Sequence, residues 1–150
     1  MKERFKQFYM DVAQRTAELS RAKRLQVGSL VVKNDSIISY GYNGTPSGWD
    51  NVCENVIGYD IEGKEVLKTR PEVLHSEMNC LMKLAKGAGS GADAAMFITH
   101  KPCLDCAKGI YQAGITSVYY RDNYKDNYGV DFLKGCGITV EQVGINIPEL

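Results

Sequence analysis

One short stretch holds residue types that could bind a transition metal. His75 opens the run HSEMN at 75–79, and Cys103 and Cys106 lie in PCLDC at 102–106. One imidazole and two thiolates suit Zn²⁺, which prefers nitrogen and sulfur donors in a tetrahedron. Three protein donors leave the fourth position to solvent, the arrangement of a catalytic rather than a structural zinc. A zinc of that kind makes hydroxide available near neutral pH. Glu77 stands two residues after the histidine, placed to carry protons to and from a reacting group.

Each half of this set is weak alone. A C-x-x-C can be a redox pair or half of a structural site, and a His two residues before a Glu is common. Together they are specific, because each sits where a helix is expected to begin. Over 76–86, Met78, Leu81, Met82 and Ala85 recur at helical spacing. Ser76 is the expected cap of that helix, with Glu77 and Asn79 in its first turn. Pro102 is expected to lead a second helix. Cys103 and Cys106, three apart, then share a face near a helix N-terminus, where the thiolate is favoured. Two helix starts can converge over neighbouring strand ends, where open α/β sheets place their ligands. His100 is the one other histidine. It could be a fourth ligand, which would close the site, or a loop residue.

The remaining pattern describes a sheet with helices. Residues 3–19 read as an amphipathic helix, with Phe5, Phe8, Tyr9, Val12, Thr16 and Leu19 as its buried stripe. Residues 27–33 and 36–42 read as a hairpin turning on Asn34-Asp35. The polar break SRAKR at 20–24 is either a solvated turn or a phosphate contact. NGTPSGWDN at 43–51 is a loop, and Asn43 within it is a turn former or a sugar ligand. The pattern from 52 to 74 is weak, and Gly58 and Gly63 suggest a surface excursion. Strands are expected at 94–99, 115–120 and 138–143, with a short helix at 130–134. Gly114 is expected to end the second motif helix. The polar segment 121–129 lies where it could close over a ligand, and INIPEL at the end reads as an edge or interface strand.

Bulk properties restrict the function classes. One hundred and fifty residues with 44% hydrophobic content suit one globular domain spanning 1–150. Eighteen basic and eighteen acidic residues give zero net charge, which disfavours a protein that tracks a polymeric nucleic acid. MKERFKQFYM is too charged for a secretory leader, and no apolar run reaches the roughly 18 residues of a membrane span. An intracellular, reducing compartment is therefore expected, where cysteines bind metal more often than they pair. Cys53, Cys80 and Cys136 read as buried or half-exposed thiols.

The spacing H-x-E with P-C-x-x-C is the signature of zinc nucleobase deaminases. Together with QVGSLVV at 26–32, GYNGTPSG at 41–48 and PCLDCAKGIYQAGI at 102–115, it makes the chain resemble the cytidine deaminase superfamily and, within it, the deoxycytidylate branch. Members usually carry Ala where this chain has Ser76. The resemblance implies a three-layer α-β-α fold whose mixed five-stranded sheet is flanked by helices. It implies hydrolysis of dCMP to dUMP and ammonia, in the cytoplasm, feeding thymidylate synthesis, with Glu77 as base and then acid. It further implies a homohexamer, activated by dCTP and inhibited by dTTP, each with Mg²⁺. Asn43 would hold the sugar, with Lys86, Tyr120 and Tyr124 as candidates for the substrate phosphate. Arg21, Lys23, Arg24, Tyr42, Asn43 and Gly44 are the candidates for the effector. Two rivals stay open: a tRNA adenosine deaminase with the same motif, and a non-catalytic zinc-stabilised binding module.

Overall fold

The computed structural model describes residues 1–144, so the expected strand at 145–150 lies outside the described residues. Alternation of apolar side chains sets the architecture. In β1 (Gly28–Lys33) and β5 (Ala95–His100) nearly every residue is buried, as strands covered on both faces require. Leu30, Val32, Ala95 and Phe97 face one helical layer, and Val31, Met96 and Ile98 face the other. The sheet runs β2-β1-β5-β6-β7, with β2 at Ser36–Tyr42, β6 at Ser117–Asp122 and β7 at Thr139–Gln142. β1 is antiparallel to β2 and β5, whereas β5, β6 and β7 are parallel. This is the expected mixed five-stranded sheet. Helix α1 (Glu3–Ala17) covers one face, and α2 (Ser76–Lys86), α3 (Leu104–Gln112) and α4 (Tyr128–Gly135) pack on the other.

Local chemistry explains most boundaries. Asn34 and Asp35 take left-handed φ values of 49° and 57°, the primed turn whose twist matches the flanking strands. Gly114 has φ 88° just past α3, where a left-handed residue ends a helix. Ser76 does not cap α2. His75 holds the cap position in an extended conformation and makes no side-chain cap bond, so Ser76 is the first helical residue and its hydroxyl is free for another partner.

A second expectation is corrected. The buried face of α1 is Lys6, Tyr9, Met10, Ala13, Thr16 and Ala17, whereas Phe5, Phe8 and Leu19 are exposed. The helix lies so close to β1 that a Cβ on Gly28 would meet the Ala13 carbonyl oxygen and the Ala17 nitrogen. Only the small residues Ala13 and Ala17 fit against Gly28; Tyr9 and Met10 are buried elsewhere along the same face, and Phe5, Phe8 and Leu19 lie off it. Lys6 is buried because its ammonium reaches Glu141 at 2.9 Å and Glu3 at 3.0 Å. The segment 52–74 is the expected surface excursion, and it is ordered. It forms a separate hairpin of β3 (Glu54–Tyr59) and β4 (Glu65–Thr69), joined through Asp60 and Gly63.

One contact decides where α2 can start. A Cβ on Gly41 of β2 would meet the Ser76 carbonyl oxygen and the Cys80 nitrogen. We expect Gly41→Ala to destabilise the chain by about 1–3 kcal/mol, as overpacking does, measured by urea unfolding. An unchanged midpoint would show that the contact has slack.

Candidate active site

The site is assembled from two helix starts. Leu74 pairs with Gly44 across two backbone hydrogen bonds of 2.8 and 3.1 Å, immediately before His75. Asn79 donates to the Tyr42 carbonyl at 2.9 Å. The stretches HSEMN and GYNG are therefore bound to each other, and α2 begins at a fixed height above the sheet. Cys103 holds the cap position of α3, in extended backbone, and Cys106 is in its first turn. On the outer side, a Cβ on Gly129 of α4 would strike the Pro102 and Cys103 backbone.

His75 Nδ1 lies 3.6 Å from Cys103 Sγ and 3.4 Å from Cys106 Sγ, and the three donor atoms all fall within 4.8 Å of one another. Tetrahedral zinc with ordinary bond lengths would separate its nitrogen and sulfur ligands by about 3.6 Å, so the donors are already spaced for that ion. The charges agree. The Cys103 thiol is pulled down to about 4, first by hydrogen bonding from Cys106 and then from His75. Cys106 is pushed up, because it is the proton donor to Cys103 and is buried. The protein's own groups thus stabilise one thiolate of the pair, and a dication would stabilise both. His100 is not a fourth donor. Its ring faces Thr99 Oγ1 at 2.8 Å and Asp122 at 3.6 Å, and among the described residues the metal-ligating group is His75, Cys103 and Cys106 alone. Three donors leave a catalytic site open.

Glu77 is 4% exposed. Burial pushes its carboxyl above the ordinary value, opposed by a hydrogen bond from Ser76. That direction suits a group that must accept and then release a proton.

Beside these groups lies a cavity of about 220 Å³. Asn43, Tyr124 and Arg24 line it, as do Glu54, Thr69 and Lys101. Asn43 is held rather than free. Its Oδ1 accepts from Val27 N at 2.9 Å, and its Nδ2 donates to Leu25 O at 2.8 Å, which leaves one N–H for a ligand. Arg24 donates to Thr69 Oγ1 at 3.1 Å. Other expected residues lie elsewhere. Lys86 is exposed at the end of α2, and Tyr120 is on β6; neither lines the cavity. Arg21 and Lys23 are exposed outside it, while Tyr42 and Gly44 act as scaffold through the contacts above.

Glu54, Thr69 and Lys101 were missed. Glu54 Oε2 accepts from the backbone N–H of Lys23 at 2.8 Å and of Arg24 at 2.9 Å, so the β3–β4 hairpin anchors the loop that carries Arg24. The β-branched and aromatic residues Val56, Ile57, Tyr59 and Val66 on either side of an Asp60–Gly63 turn were the available signal.

Cys106→Ser is expected to lower zinc content well below one equivalent, whereas His100→Ala keeps one equivalent, measured by atomic absorption on purified protein. Loss of zinc in the His100 variant would make that histidine a ligand.

Known proteins resemble this chain along most of its length. The model of the cytidine and deoxycytidylate deaminase zinc-binding region matches residues 3–122. The dCMP deaminase of cyanophage S-TIM5, solved with dCMP and dUMP, is 44% identical over 95% of this chain and 98% of that one, with a TM-score of 0.85. ComE operon protein 2 of Bacillus subtilis is 32% identical over 93% of this chain and 71% of its own length. Human deoxycytidylate deaminase is 33% identical over 81% of this chain and 67% of its own length. The match spans both helix starts, the three donors and the buried carboxylate between them, and the chain belongs to the cytidine and deoxycytidylate deaminase zinc-binding family.

Proposed function

We propose that this chain hydrolyses dCMP to dUMP and ammonia. The observation that carries the reading is a buried carboxylate, Glu77, beside three convergent metal donors at a cavity whose wall holds a guanidinium, Arg24. The names of the cyanophage and human relatives support the same substrate.

His75, Cys103 and Cys106 would hold a zinc ion, which would supply the Lewis acidity that makes water a nucleophile near neutral pH. The chain does the rest. Glu77 takes a proton from the attacking water and passes it to N3 of the cytosine ring. It then takes the proton of the new C4 hydroxyl and gives it to the amine as the C4–N bond breaks, so that a carbonyl oxygen is gained and ammonia leaves. A single carboxylate can serve twice because burial keeps its proton affinity high. Asn43 presents its remaining N–H to the sugar, its amide plane set by Val27 and Leu25. Tyr124 flanks the cavity beside His100. Arg24 replaces Lys86 and Tyr120 as the phosphate ligand, since it lines the cavity and its backbone is fixed by Glu54.

The family resemblance extends this reading. The enzyme is then a cytoplasmic homohexamer supplying dUMP for thymidylate synthesis, activated by dCTP and inhibited by dTTP with Mg²⁺. Arg21 and Lys23, exposed beside the GYNG loop, are the cations for such a triphosphate, with Tyr42 and Gly44 as their neighbours.

Ammonia release from dCMP tests the reading. Glu77→Gln is expected to retain zinc and lose roughly 10³-fold or more in kcat, in the upper part of the range for a general acid–base group. A near-normal rate in that variant, or release from a tRNA anticodon loop but not from dCMP, would overturn it. Arg24→Met is expected to raise KM for dCMP by about 10- to 100-fold, the worth of one charged hydrogen bond or two. Deoxycytidine, which lacks the phosphate, should be turned over as in the parent; an equal loss on both substrates would exclude the phosphate role.

A further inference from the structure

Side chains of consecutive helical residues point about 100° apart and do not normally meet. At the start of α2 two of them do. Ser76 Oγ lies 2.7 Å from Glu77 Oε1, so the Glu77 carboxylate is folded back over the helix start instead of extending along its own direction. Ser76 is fully buried and Glu77 nearly so. The serine oxygen therefore has no access to bulk water, and a hydroxyl so placed must find its acceptor within the protein. It is also free of the usual task of a serine at this position, since His75 rather than Ser76 occupies the cap and makes no side-chain cap bond. Its backbone is held from behind. The Ser76 carbonyl is packed against Gly41, and Asn79, one turn on, is tied to Tyr42. A short bond to an ionisable oxygen on a fixed backbone selects one rotamer of the longer side chain.

We propose that Ser76 is a positioning residue for the deamination: its buried hydroxyl holds the Glu77 carboxylate in the single orientation from which it exchanges protons with substrate and water. The inference rests on Glu77 being the proton carrier of the reading above. Ser76 is among the residues lining the cavity, but its hydroxyl donates to Glu77 Oε1 and it is not one of the three metal donors. Without the hydroxyl the carboxylate keeps its burial and its contacts with its own backbone amide and Cys106 but loses the Ser76 bond, and the fraction of the time it spends aligned falls.

Ser76→Ala is expected to lower kcat for dCMP by about ten-fold, the size of one hydrogen bond to a charged group. KM, zinc content and melting temperature should stay at their parent values. Ser76→Cys, similar in size and a weaker donor, should restore part of the loss. In a Glu77→Gln background, Ser76→Ala should add no further loss, because there is no carboxylate left to hold. A parent kcat in Ser76→Ala overturns the proposal. So does a loss accompanied by lowered zinc content or melting temperature, and so does a full extra ten-fold loss on top of Glu77→Gln. If Ser76→Ala does not fold, Ser76→Cys decides alone: a kcat below the parent's at unchanged zinc and KM supports the role, and an unchanged kcat removes it. Glu77→Gln is the control for the underlying reading. Should it retain its rate, the proton-carrier role fails, whereas a dead Glu77→Gln beside a fully active Ser76→Ala sinks only the positioning role.

Discussion

The site depends on how closely the first turn of α2 can approach β2. Gly41 leaves no room between strand and helix, so the Ser76 carbonyl and the Cys80 nitrogen rest directly on the strand. The Leu74–Gly44 pair and the Asn79–Tyr42 bond complete the attachment. From there the geometry has little freedom. His75 must leave the end of an extended segment, Glu77 must be buried in the first turn, and both must meet whatever arrives from the end of β5. The strand delivers Cys103 and Cys106 because Pro102 is buried and α4 closes against it at Gly129.

Burial then sets the electrostatics. A carboxylate at 4% exposure is disfavoured as an anion, and a thiol pair next to an imidazole can share its protons only unevenly. Both are unfavourable for the protein without a cation and suited to it with one. The stability that such a site gives up is supplied elsewhere. Two apolar layers enclose the sheet, and Tyr9, Phe97 and Tyr119 form a ladder of rings with centroids 5.3 and 4.7 Å apart under α1. The reactive groups sit at one end of that sheet, at the starts of α2 and α3.

The cavity wall has a different origin. It is made partly by the β3–β4 hairpin, whose Glu54 and Thr69 pair across the two strands and reach the loop carrying Arg24. Among the described residues no helix covers the hairpin, and much of its apolar surface is exposed, including Ile57, Tyr59 and Ile61. A two-stranded unit of this kind is marginal by itself. Its attachment through a buried carboxylate to two successive amides therefore matters to the shape of the pocket as well as to the hairpin.

What could be read from the residues alone was whatever depends on near neighbours. Donor chemistry named His75, Cys103 and Cys106. Helical spacing bounded α2 at 76–86, turn chemistry placed Asn34 and Asp35, and β-branched runs marked the five strands of the main sheet within two residues or so. The tertiary structure decided the rest. It set the face of α1, with Ala13 and Ala17 against Gly28 and Tyr9 and Met10 in the core, so that Phe5 and Phe8 face outward. It made Ser76 a partner of Glu77 instead of a cap, since His75 takes the last extended position. It chose Arg24 over Lys86 for the cavity wall, because Glu54, thirty residues away in sequence, is what fixes the loop. Periodicity records which side of an element is apolar; which distant element will lie against that side is set only when the sheet has formed.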